Sequence, residues 1–247
     1  MIQTAFILAA GFGTRLQPWT FQFPKPMLTI LNKPVILWHI DNLIKNGIKN
    51  IIINSHHLKY KLKSLVEFYV YEKLQLEDLK LTILEEGQIL GTGGPLYAVK
   101  DFVNEDNFFV INSDVIYQIN LHDCAGFHVS HKQISTMIVR NSDKKELNQV
   151  YTDSHQNIIR VAEISFDNSK QYSKINAFTG IHVINKKIFE YVEKDKFQCI
   201  IRNVYKSAAS NGCIIKAFHS NEYWIDIGDI QSYKDLHIDW MQGKFVN

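Results

Sequence analysis

The sequence AFILAAGFGTRL, residues 5–16, joins an apolar run to a glycine loop. The apolar part, Ala5 to Ala10, is short and uninterrupted, which predicts a strand buried in a parallel sheet. Gly11 and Gly13 follow at once, and residues this small let a ligand approach the backbone closely. Successive backbone N–H groups in such a loop form an anion-binding nest, and Arg15 adds donors that suit phosphate. The stretch therefore predicts a buried strand that ends in an anion-binding loop.

Strands and helices alternate through the first 115 residues. A helix is predicted from about Pro34 to Lys45, with Asn46-Gly47 at its end. Further strands are predicted at 50–54, 79–84 and 107–112, and further helical segments at 57–71 and 95–100. This alternation predicts a doubly wound α/β fold, with a mostly parallel mixed sheet flanked by helices. Ligands of such sheets bind at the carboxyl ends of the strands.

The rest of the chain is less regular and richer in strands. Strands are predicted at 135–139, 148–152, 157–161, 177–184 and 214–218, and helices at 186–192, 199–210 and 230–241. The sequence contains no internal repeat, no low-complexity tract and no clear linker. We therefore expect one domain over residues 1–247, with halves at 1–115 and 116–247 and a smaller β-rich part in the second half.

Composition and charge exclude several classes of protein. Lys and Arg number 27 and Asp and Glu number 25, so the formal net charge of +2 gives no reason to expect a nucleic-acid partner. No apolar run approaches the roughly 20 residues of a membrane helix, and the N-terminus makes a poor signal peptide. The 3 cysteines are widely spaced, which favours reduced thiols over a disulfide framework or a zinc site. We expect a cytoplasmic protein with no membrane partner.

Two familiar phosphate-binding motifs are absent. The Walker A pattern does not occur, and the dinucleotide fingerprint lacks its third glycine because residue 16 is Leu. The loop is instead followed by Pro24-Lys25-Pro26-Met27, which places a cation on a stiffened backbone.

With this second element the sequence resembles the sugar-1-phosphate nucleotidyltransferases, also called nucleotide-sugar pyrophosphorylases. The resemblance begins with G-x-G-T-R-L-x-P-x-T and P-K-P-M and extends over nearly the whole chain. Four later elements also match. Glu86 with Leu90-Gly91-Thr92-Gly93-Gly94-Pro95-Leu96 is similar to the family's second nucleotide loop, and Asn112-Ser113-Asp114-Val115 is similar to its metal-binding turn. Phe178-Thr179-Gly180-Ile181 is similar to its sugar-binding strand, and Trp224-Ile225-Asp226-Ile227-Gly228 is similar to its late metal motif. The resemblance implies a Rossmann-like fold and the transfer of a nucleotidyl group.

In that reaction the phosphate of a sugar 1-phosphate attacks the α-phosphorus of a nucleoside triphosphate, and pyrophosphate leaves. Two polyanions must meet, so catalysis depends on positioning and charge neutralisation. A hard cation held by oxygen ligands suits this task, and Mg²⁺ typically takes one or two carboxylates plus substrate phosphates.

The resemblance implies a role for each matching residue. Arg15 and Lys25 are the implied catalytic residues, Arg15 on the triphosphate and Lys25 between the α-phosphate and the sugar phosphate. Asp114 and Asp226 are the implied Mg²⁺ ligands. The implied nucleotide-binding residues are Leu8, Ala9, Ala10, Gly11, Gly13, Thr14, Arg15, Glu86, Gly91 and Thr92. The implied sugar-binding residues are Asn112, Thr179, Gly180 and Glu163.

The chain departs from the family pattern in two places. Ser113 stands where a Gly usually precedes the metal-binding Asp, and its hydroxymethyl group crowds the sugar or shifts Asp114. Many relatives carry Glu-Lys-Pro in mid-chain, whereas Ile164 follows Glu163 here. Either Glu163 is only a strand residue, or another cation such as Lys170 or Lys174 replaces the missing lysine.

The identities of base and sugar stay open at this level. Residues 53–58, Ile-Asn-Ser-His-His-Leu, resemble the N-acetylmuramate-1-phosphate uridylyltransferase branch. We read the adjacent His56 and His57 as helix-start or surface residues, since neighbours in sequence do not share a helix face. The GTGGPL loop after Glu85 and Glu86 is similar instead to mannose- and heptose-1-phosphate guanylyltransferases. We lean towards UTP and an N-acetylmuramate-like sugar.

Three further expectations follow. A non-catalytic nucleotide-sugar sensor on the same fold is the rival from another class, and the intact set of Arg15, Lys25, Asp114 and Asp226 speaks against it. Many relatives carry a C-terminal β-helix, and the absence of hexapeptide repeats here predicts a single activity. A monomer or a homodimer is expected.

Overall fold

The computed structural model describes residues 2–142 and 148–245 and forms two compact units. The first, called the N-terminal unit, comprises Gln3–Ile89, Ile111–Ile119 and Glu222–Asn247. The central unit comprises Met1–Ile2, Leu90–Val110 and Asn120–Asn221. These units are defined by packing, whereas the halves expected at residues 1–115 and 116–247 are functional, and those halves stay a prediction.

The strands of the described residues are numbered in chain order: β1 (Thr4–Leu8), β2 (Thr29–Ile30), β3 (Lys33–Pro34), β4 (Asn50–Ser55), β5 (Lys80–Glu85), β6 (Asn107–Asn112), β7 (Val115–Tyr117), β8 (Ser135–Arg140), β9 (Gln149–Thr152), β10 (Ile158–Val161), β11 (Ile164–Ser165), β12 (Lys174–Asn185), β13 (Ile215–His219) and β14 (Trp224–Asp226). The α-helices are α1 (Val35–Lys45), α2 (Lys59–Glu67), α3 (Leu96–Val99), α4 (Leu121–His131), α5 (Lys206–Ser210) and α6 (Ile230–Met241). Short 3₁₀ and π-helical segments lie between them, among them Lys25–Met27, Phe68–Lys73 and Ile200–Tyr205.

A parallel sheet forms the core of the N-terminal unit. β1 pairs with β4, and β4 pairs with β5, both in parallel. Ile51, Ile52 and Ile53 are fully buried, as expected for a strand covered on both faces. α1 begins after Pro34 and ends at Lys45, with Asn46 as its C-cap and Gly47 in the left-handed region at φ 76°. The helix predicted over 34–45 is therefore confirmed.

A mixed sheet forms the core of the central unit. The long strand β12 pairs antiparallel with β8 and with β9, and β13 pairs with β8 in parallel. β10 extends the antiparallel part between β9 and β11. With the parallel sheet of the other unit, this confirms the predicted α/β class with parallel and antiparallel strands flanked by helices.

The observed elements differ from the predicted ones at specific points. β1 ends at Leu8, so Ala9 and Ala10 already belong to the loop. The segment predicted as one helix over 199–210 is a π-helical turn followed by α5. α4 was not predicted, although Asn120 caps its first turn by accepting from the backbone N–H groups of His122 and Asp123. The interior of α4 contains Gly126 and several histidines, which weaken its helical pattern.

Among the described residues, no helix combines the length and the apolar character that crossing a membrane requires.

Candidate active site

Lys25 and Asp114 form an ion pair in the N-terminal unit. Lys25 lies in a 3₁₀ turn between Pro24 and Pro26 and is only 9% exposed. Its Nζ lies 2.6 Å from Oδ2 of Asp114, in the turn between β6 and β7. Both charges are largely shielded from water, so each depends on the other. The structure thus joins a predicted catalytic cation to a predicted metal ligand.

A two-stranded sheet aligns the two predicted metal ligands. β14 pairs antiparallel with β7, and Asp226 stands opposite Val115, the residue after Asp114. The backbone N–H of Ile227 also donates to the carbonyl of Asp114 at 2.8 Å. Two aspartates far apart in sequence are thereby fixed on neighbouring strands of one unit.

The electrostatics of Asp226 reflect its surroundings. Burial is the main cause that raises the pKa of its carboxyl, and the negative charge of Asp114 raises it further. Lys25, the N–H of Gly228 and Arg15 act in the opposite direction. Two carboxylates that repel each other in a half-buried place favour a cation between them. The donor set therefore fits Mg²⁺, which needs only one or two carboxylates besides substrate oxygens. Within the described parts of the chain, no cluster of three or more His, Cys, Asp or Glu side chains suits a metal.

Arg15 reaches the same place because residue 228 is glycine. A Cβ atom on Gly228 would lie 2.7 Å from a guanidinium nitrogen of Arg15 and 2.6 Å from Oδ1 of Asp226. The Gly228 N–H donates to that Oδ1 at 2.5 Å. Arg15 itself is exposed, so its guanidinium can meet a ligand from solvent. Arg15, Lys25, Asp114 and Asp226 therefore all lie in this unit.

The two glycines of the first loop have different surroundings. Gly13 has φ 65°, and a Cβ there would lie 2.8 Å from Cγ2 of Thr20 and 3.0 Å from Cβ of Lys25. The Thr20 hydroxyl donates to the Gly13 carbonyl at 2.9 Å. Around Gly11 nothing lies within 4 Å of such a Cβ. Gly13 is thus required by the packing of the loop against Lys25, whereas Gly11 opens onto space. Thr14 follows as the start of a 3₁₀ turn.

A buried asparagine on β4 links the loops that follow β1 and β5. Asn54, near the end of β4, accepts from the Ala9 N–H at 2.6 Å and donates to Oε1 of Glu86 at 2.5 Å. Asn54 is 1% exposed and Glu86 is 8% exposed. Leu8 ends β1, Ala10 is buried beside it, and Asn112 ends β6. The sequence analysis assigned no role to Asn54. The feature that could have indicated one is a polar amide at the end of a strand that is otherwise buried and apolar.

A second polar residue that the sequence did not single out is His39 on α1. It is buried, and its desolvation lowers the pKa of the imidazole to about 4. The negative charge of Asp114 raises that pKa, but by less than burial lowers it. The ring is therefore neutral at neutral pH and packs against Tyr117 of β7 at 5.8 Å between centroids.

The central unit contains the second glycine loop. Gly91 has φ 76°, and a Cβ there would lie 2.5 Å from the Gln198 carbonyl oxygen. That oxygen accepts from the N–H of Gly93 at 2.7 Å, and Oγ1 of Thr92 accepts from the N–H of Ile200 at 3.0 Å. Packing against residues 198–200 therefore accounts for the glycine at 91. The predicted nucleotide contacts of Gly91 and Thr92 stay predictions.

The predicted sugar-binding strand is irregular at the expected place. The register between β12 and β8 shifts between Phe178 and His182, and Gly180 has φ 81°. Such a bulge requires glycine at the left-handed position. Thr179 is fully buried, and its hydroxyl donates to the Ile138 carbonyl at 2.8 Å. Contact of these two residues with a sugar stays a prediction.

Glu163 lies on the surface of the central unit. Its side chain is 63% exposed and pairs with Arg202. Of the two cations considered as substitutes for the missing lysine, Lys170 lies 3.4 Å from a carboxylate oxygen of Asp153. Lys174 opens β12 and is exposed. The role of Glu163 at the sugar stays a prediction.

The sequence is similar to proteins of known families. The family model described as nucleotidyl transferase matches residues 4–243. Over 93% of its length the chain is 32% identical to a mannose-1-phosphate guanyltransferase of Schizosaccharomyces pombe and covers 62% of that protein. Over 97% of its length it is 32% identical to mannose-1-phosphate guanylyltransferase 1 of Arabidopsis thaliana and covers 66% of it. The chain thus spans somewhat less than two thirds of the length of these relatives.

The fold also matches solved structures. The crystal structure of HddC from Yersinia pseudotuberculosis superposes with a TM-score of 0.76 at 24% identity, covering 97% of this chain and 100% of that one. At this level of identity the likeness concerns the fold.

Proposed function

The chain belongs to the nucleotidyl transferase family, and we propose that it transfers a nucleotidyl group from a nucleoside triphosphate to a sugar 1-phosphate, releasing pyrophosphate. The observation that carries the proposal is the assembly of Arg15, Lys25, Asp114 and Asp226 within one unit. Lys25 and Asp114 are in contact at 2.6 Å, and Arg15 lies beside Gly228 next to Asp226. Two cations and two carboxylates suit the meeting of two polyanions on a metal.

Each of these side chains has a distinct part in the proposed reaction. Asp114 and Asp226 would hold Mg²⁺, which when bound supplies positive charge to the phosphates. Lys25 would bind the α-phosphate and orient the sugar phosphate for in-line attack. Arg15, which is exposed, would bind the triphosphate and stabilise the leaving pyrophosphate. The glycine loop would present backbone N–H groups to the phosphates.

For base and sugar we propose GTP and mannose 1-phosphate. The relatives named above are called mannose-1-phosphate guanyl- or guanylyltransferases, and their names support the guanylyl alternative that the sequence left open. The lean towards UTP and an N-acetylmuramate-like sugar gains no support from these names. A carboxylate such as Glu86 can accept from the N–H groups of guanine, which agrees with the choice.

Pyrophosphate release with Mg²⁺ tests the proposal. GTP, UTP, CTP, dTTP and ATP are each combined with the 1-phosphates of mannose, heptose, glucose and N-acetylmuramic acid. We expect release with GTP and mannose 1-phosphate and none from the Asp226→Asn variant. Release only with UTP and N-acetylmuramic acid 1-phosphate would restore the uridylyl assignment. Binding of nucleotide sugar by calorimetry without release from any pair would indicate the non-catalytic sensor.

A further inference from the structure

Asn54 uses both ends of its amide inside the protein. Its Oδ1 accepts from the Ala9 N–H at 2.6 Å, and its Nδ2 donates to Oε1 of Glu86 at 2.5 Å. Ala9 follows β1, Asn54 is the penultimate residue of β4, and Glu86 follows β5. One side chain thus connects the carboxyl ends of three neighbouring parallel strands.

The chemistry of the two partners determines which side chain can do this. A backbone N–H can only donate, and an ionised carboxylate can only accept. The residue between them must therefore offer an acceptor and a donor on one short, rigid group, which is what an asparagine amide provides. An aspartate would keep the acceptor but set a second carboxylate against Glu86. Because Asn54 is 1% exposed, water cannot replace either bond.

The two residues that follow β4 extend the same connection. Nδ1 of His56 lies 3.0 Å from the Glu86 carbonyl oxygen, and Nε2 of His57 lies 2.8 Å from the Thr20 carbonyl oxygen. The ring of Phe12, at the tip of the glycine loop, meets both imidazoles edge-on at 5.7 and 5.8 Å. The expectation that these histidines are plain helix-start or surface residues is thus incomplete, since both contact loops of the candidate site.

We propose that Asn54 is a positioning residue for the nucleoside triphosphate. It holds the backbone at Ala9 and the carboxylate of Glu86 at a fixed spacing, and the nucleotide binds to the surface so formed. Asn54 touches no reacting atom itself. The Ala9 N–H is already used by Asn54, so the triphosphate draws on backbone N–H groups further along the loop. The inference rests on the proposed function and adds to it the residue that organises the nucleotide side of the site.

A double-mutant cycle between positions 54 and 86 tests the proposal. The four proteins are the wild type, Asn54→Asp, Glu86→Gln and the double variant. In the double variant the aspartate can accept both from the Ala9 N–H and from the glutamine amide, so the connection is restored with reversed polarity. Binding of GTP and UTP is measured by calorimetry, and KM for the triphosphate, KM for mannose 1-phosphate and kcat by pyrophosphate release.

We expect Asn54→Asp to weaken triphosphate binding about tenfold or more in the wild-type background, the size expected when one buried hydrogen bond is lost and its partner is left unpaired. In the Glu86→Gln background the same change should weaken binding less than about threefold. KM for mannose 1-phosphate should stay the same throughout. If Asn54→Asp does not fold alone, a loss of more than about threefold between Glu86→Gln and the double variant would overturn the proposal. A loss of equal size in both backgrounds, or an equal rise in both KM values, would overturn the proposal.

Asn50 supplies a matched control. It lies on the same strand and donates to Oγ1 of Thr4 on β1 at 3.1 Å, at the opposite end of the pairing. Asn50→Asp should leave triphosphate binding and both KM values unchanged. A wild type that binds GTP or UTP and shows the expected cycle without turnover would overturn the proposed function alone. A wild type that binds neither would overturn both.

Discussion

Lys25 and Asp114 lie 89 residues apart in sequence, yet the ammonium nitrogen of one is 2.6 Å from a carboxylate oxygen of the other. The Pro24-Lys25-Pro26 backbone and the turn after β6 hold the pair, and Lys25 is nearly buried. A cation held in this way needs little reorganisation to meet a phosphate.

Replacing Lys25 by alanine tests this role. We expect kcat/KM for the sugar 1-phosphate to fall about 10²- to 10³-fold, the usual cost of removing one preorganised charge, and triphosphate binding to weaken less than that. Steady-state kinetics with each substrate varied in turn measure the effect on the sugar 1-phosphate and the effect on the triphosphate separately. Lys33→Ala is the control, because Lys33 also pairs with an aspartate, Asp41, in the same unit. A loss confined to triphosphate affinity would show that the roles of Lys25 and Arg15 are exchanged.

Asp226→Asn should lower activity and raise stability. Because burial and the charge of Asp114 raise the pKa of Asp226, the folded protein holds this carboxylate at a cost above that pKa. Asparagine removes the charge and keeps an acceptor for the Gly228 N–H. We expect the free energy of unfolding to rise by about 0.5–2 kcal/mol at pH 7.5, and kcat to fall by several orders of magnitude.

Denaturant unfolding without metal and pyrophosphate release with Mg²⁺ measure the two effects. Asp239→Asn is the matched control, since the half-buried Asp239 pairs with Lys244 and accepts from the Tyr223 hydroxyl. Undiminished turnover by Asp226→Asn would remove Asp226 from the metal site.

The two glycines of the first loop should respond differently to alanine. Gly13→Ala forces an unfavourable φ and a clash with Thr20 and Lys25, so we expect a loss of about 1–3 kcal/mol in stability together with lower kcat. A Cβ at Gly11 meets no protein atom, so Gly11→Ala should change stability by less than about 0.5 kcal/mol. It should nevertheless weaken triphosphate binding, because the proposed reaction places the phosphates over this loop. Unfolding curves and calorimetry distinguish the two. Equal destabilisation by both changes would contradict the conclusion that Gly13, and not Gly11, packs against Thr20 and Lys25.

The sequence predicted the long, regular elements well because their patterns are local. α1 carries a proline at its start and Asn46-Gly47 at its end, and β6 and α6 have the predicted bounds. The strands β7 and β14 were missed because three residues are too few for a periodic pattern. Their pairing, which aligns Asp114 with Asp226, joins distant parts of the chain.

For the site, the resemblance pointed to Arg15, Lys25, Asp114 and Asp226, and the structure gathers them in one unit. Packing against Gln198 accounts for the glycine at 91, and the contact of Gly91 with a nucleotide stays a prediction. Asn54 belongs to the segment 53–58 that resembles the uridylyltransferase branch, but the sequence indicates no role for its side chain. Its importance follows from two hydrogen bonds, which depend on tertiary structure alone.

Buried and half-buried histidines should make the folded protein sensitive to mild acid. Burial lowers the pKa of His39, His128 and His131 to about 4 and that of His182 to about 3. Unfolded histidines bind protons below about pH 6.5, whereas these do so only near their lowered values. Stability is therefore complete above about pH 6.5 and falls as the pH drops towards 4, by about 1 kcal/mol per pH unit for each such histidine.

Urea unfolding between pH 5 and 7 measures this slope. In His182→Gln the slope should fall by about one histidine's share, about 1 kcal/mol per pH unit, whatever the change in overall stability. The glutamine can still accept from the Tyr205 hydroxyl, which now lies 2.9 Å from Nδ1 of His182. His122→Gln is the control, because His122 is exposed on α4 and its substitution should leave the slope unchanged. A stability that stays constant between pH 7 and 5 would show that these histidines gain protons without leaving the folded state.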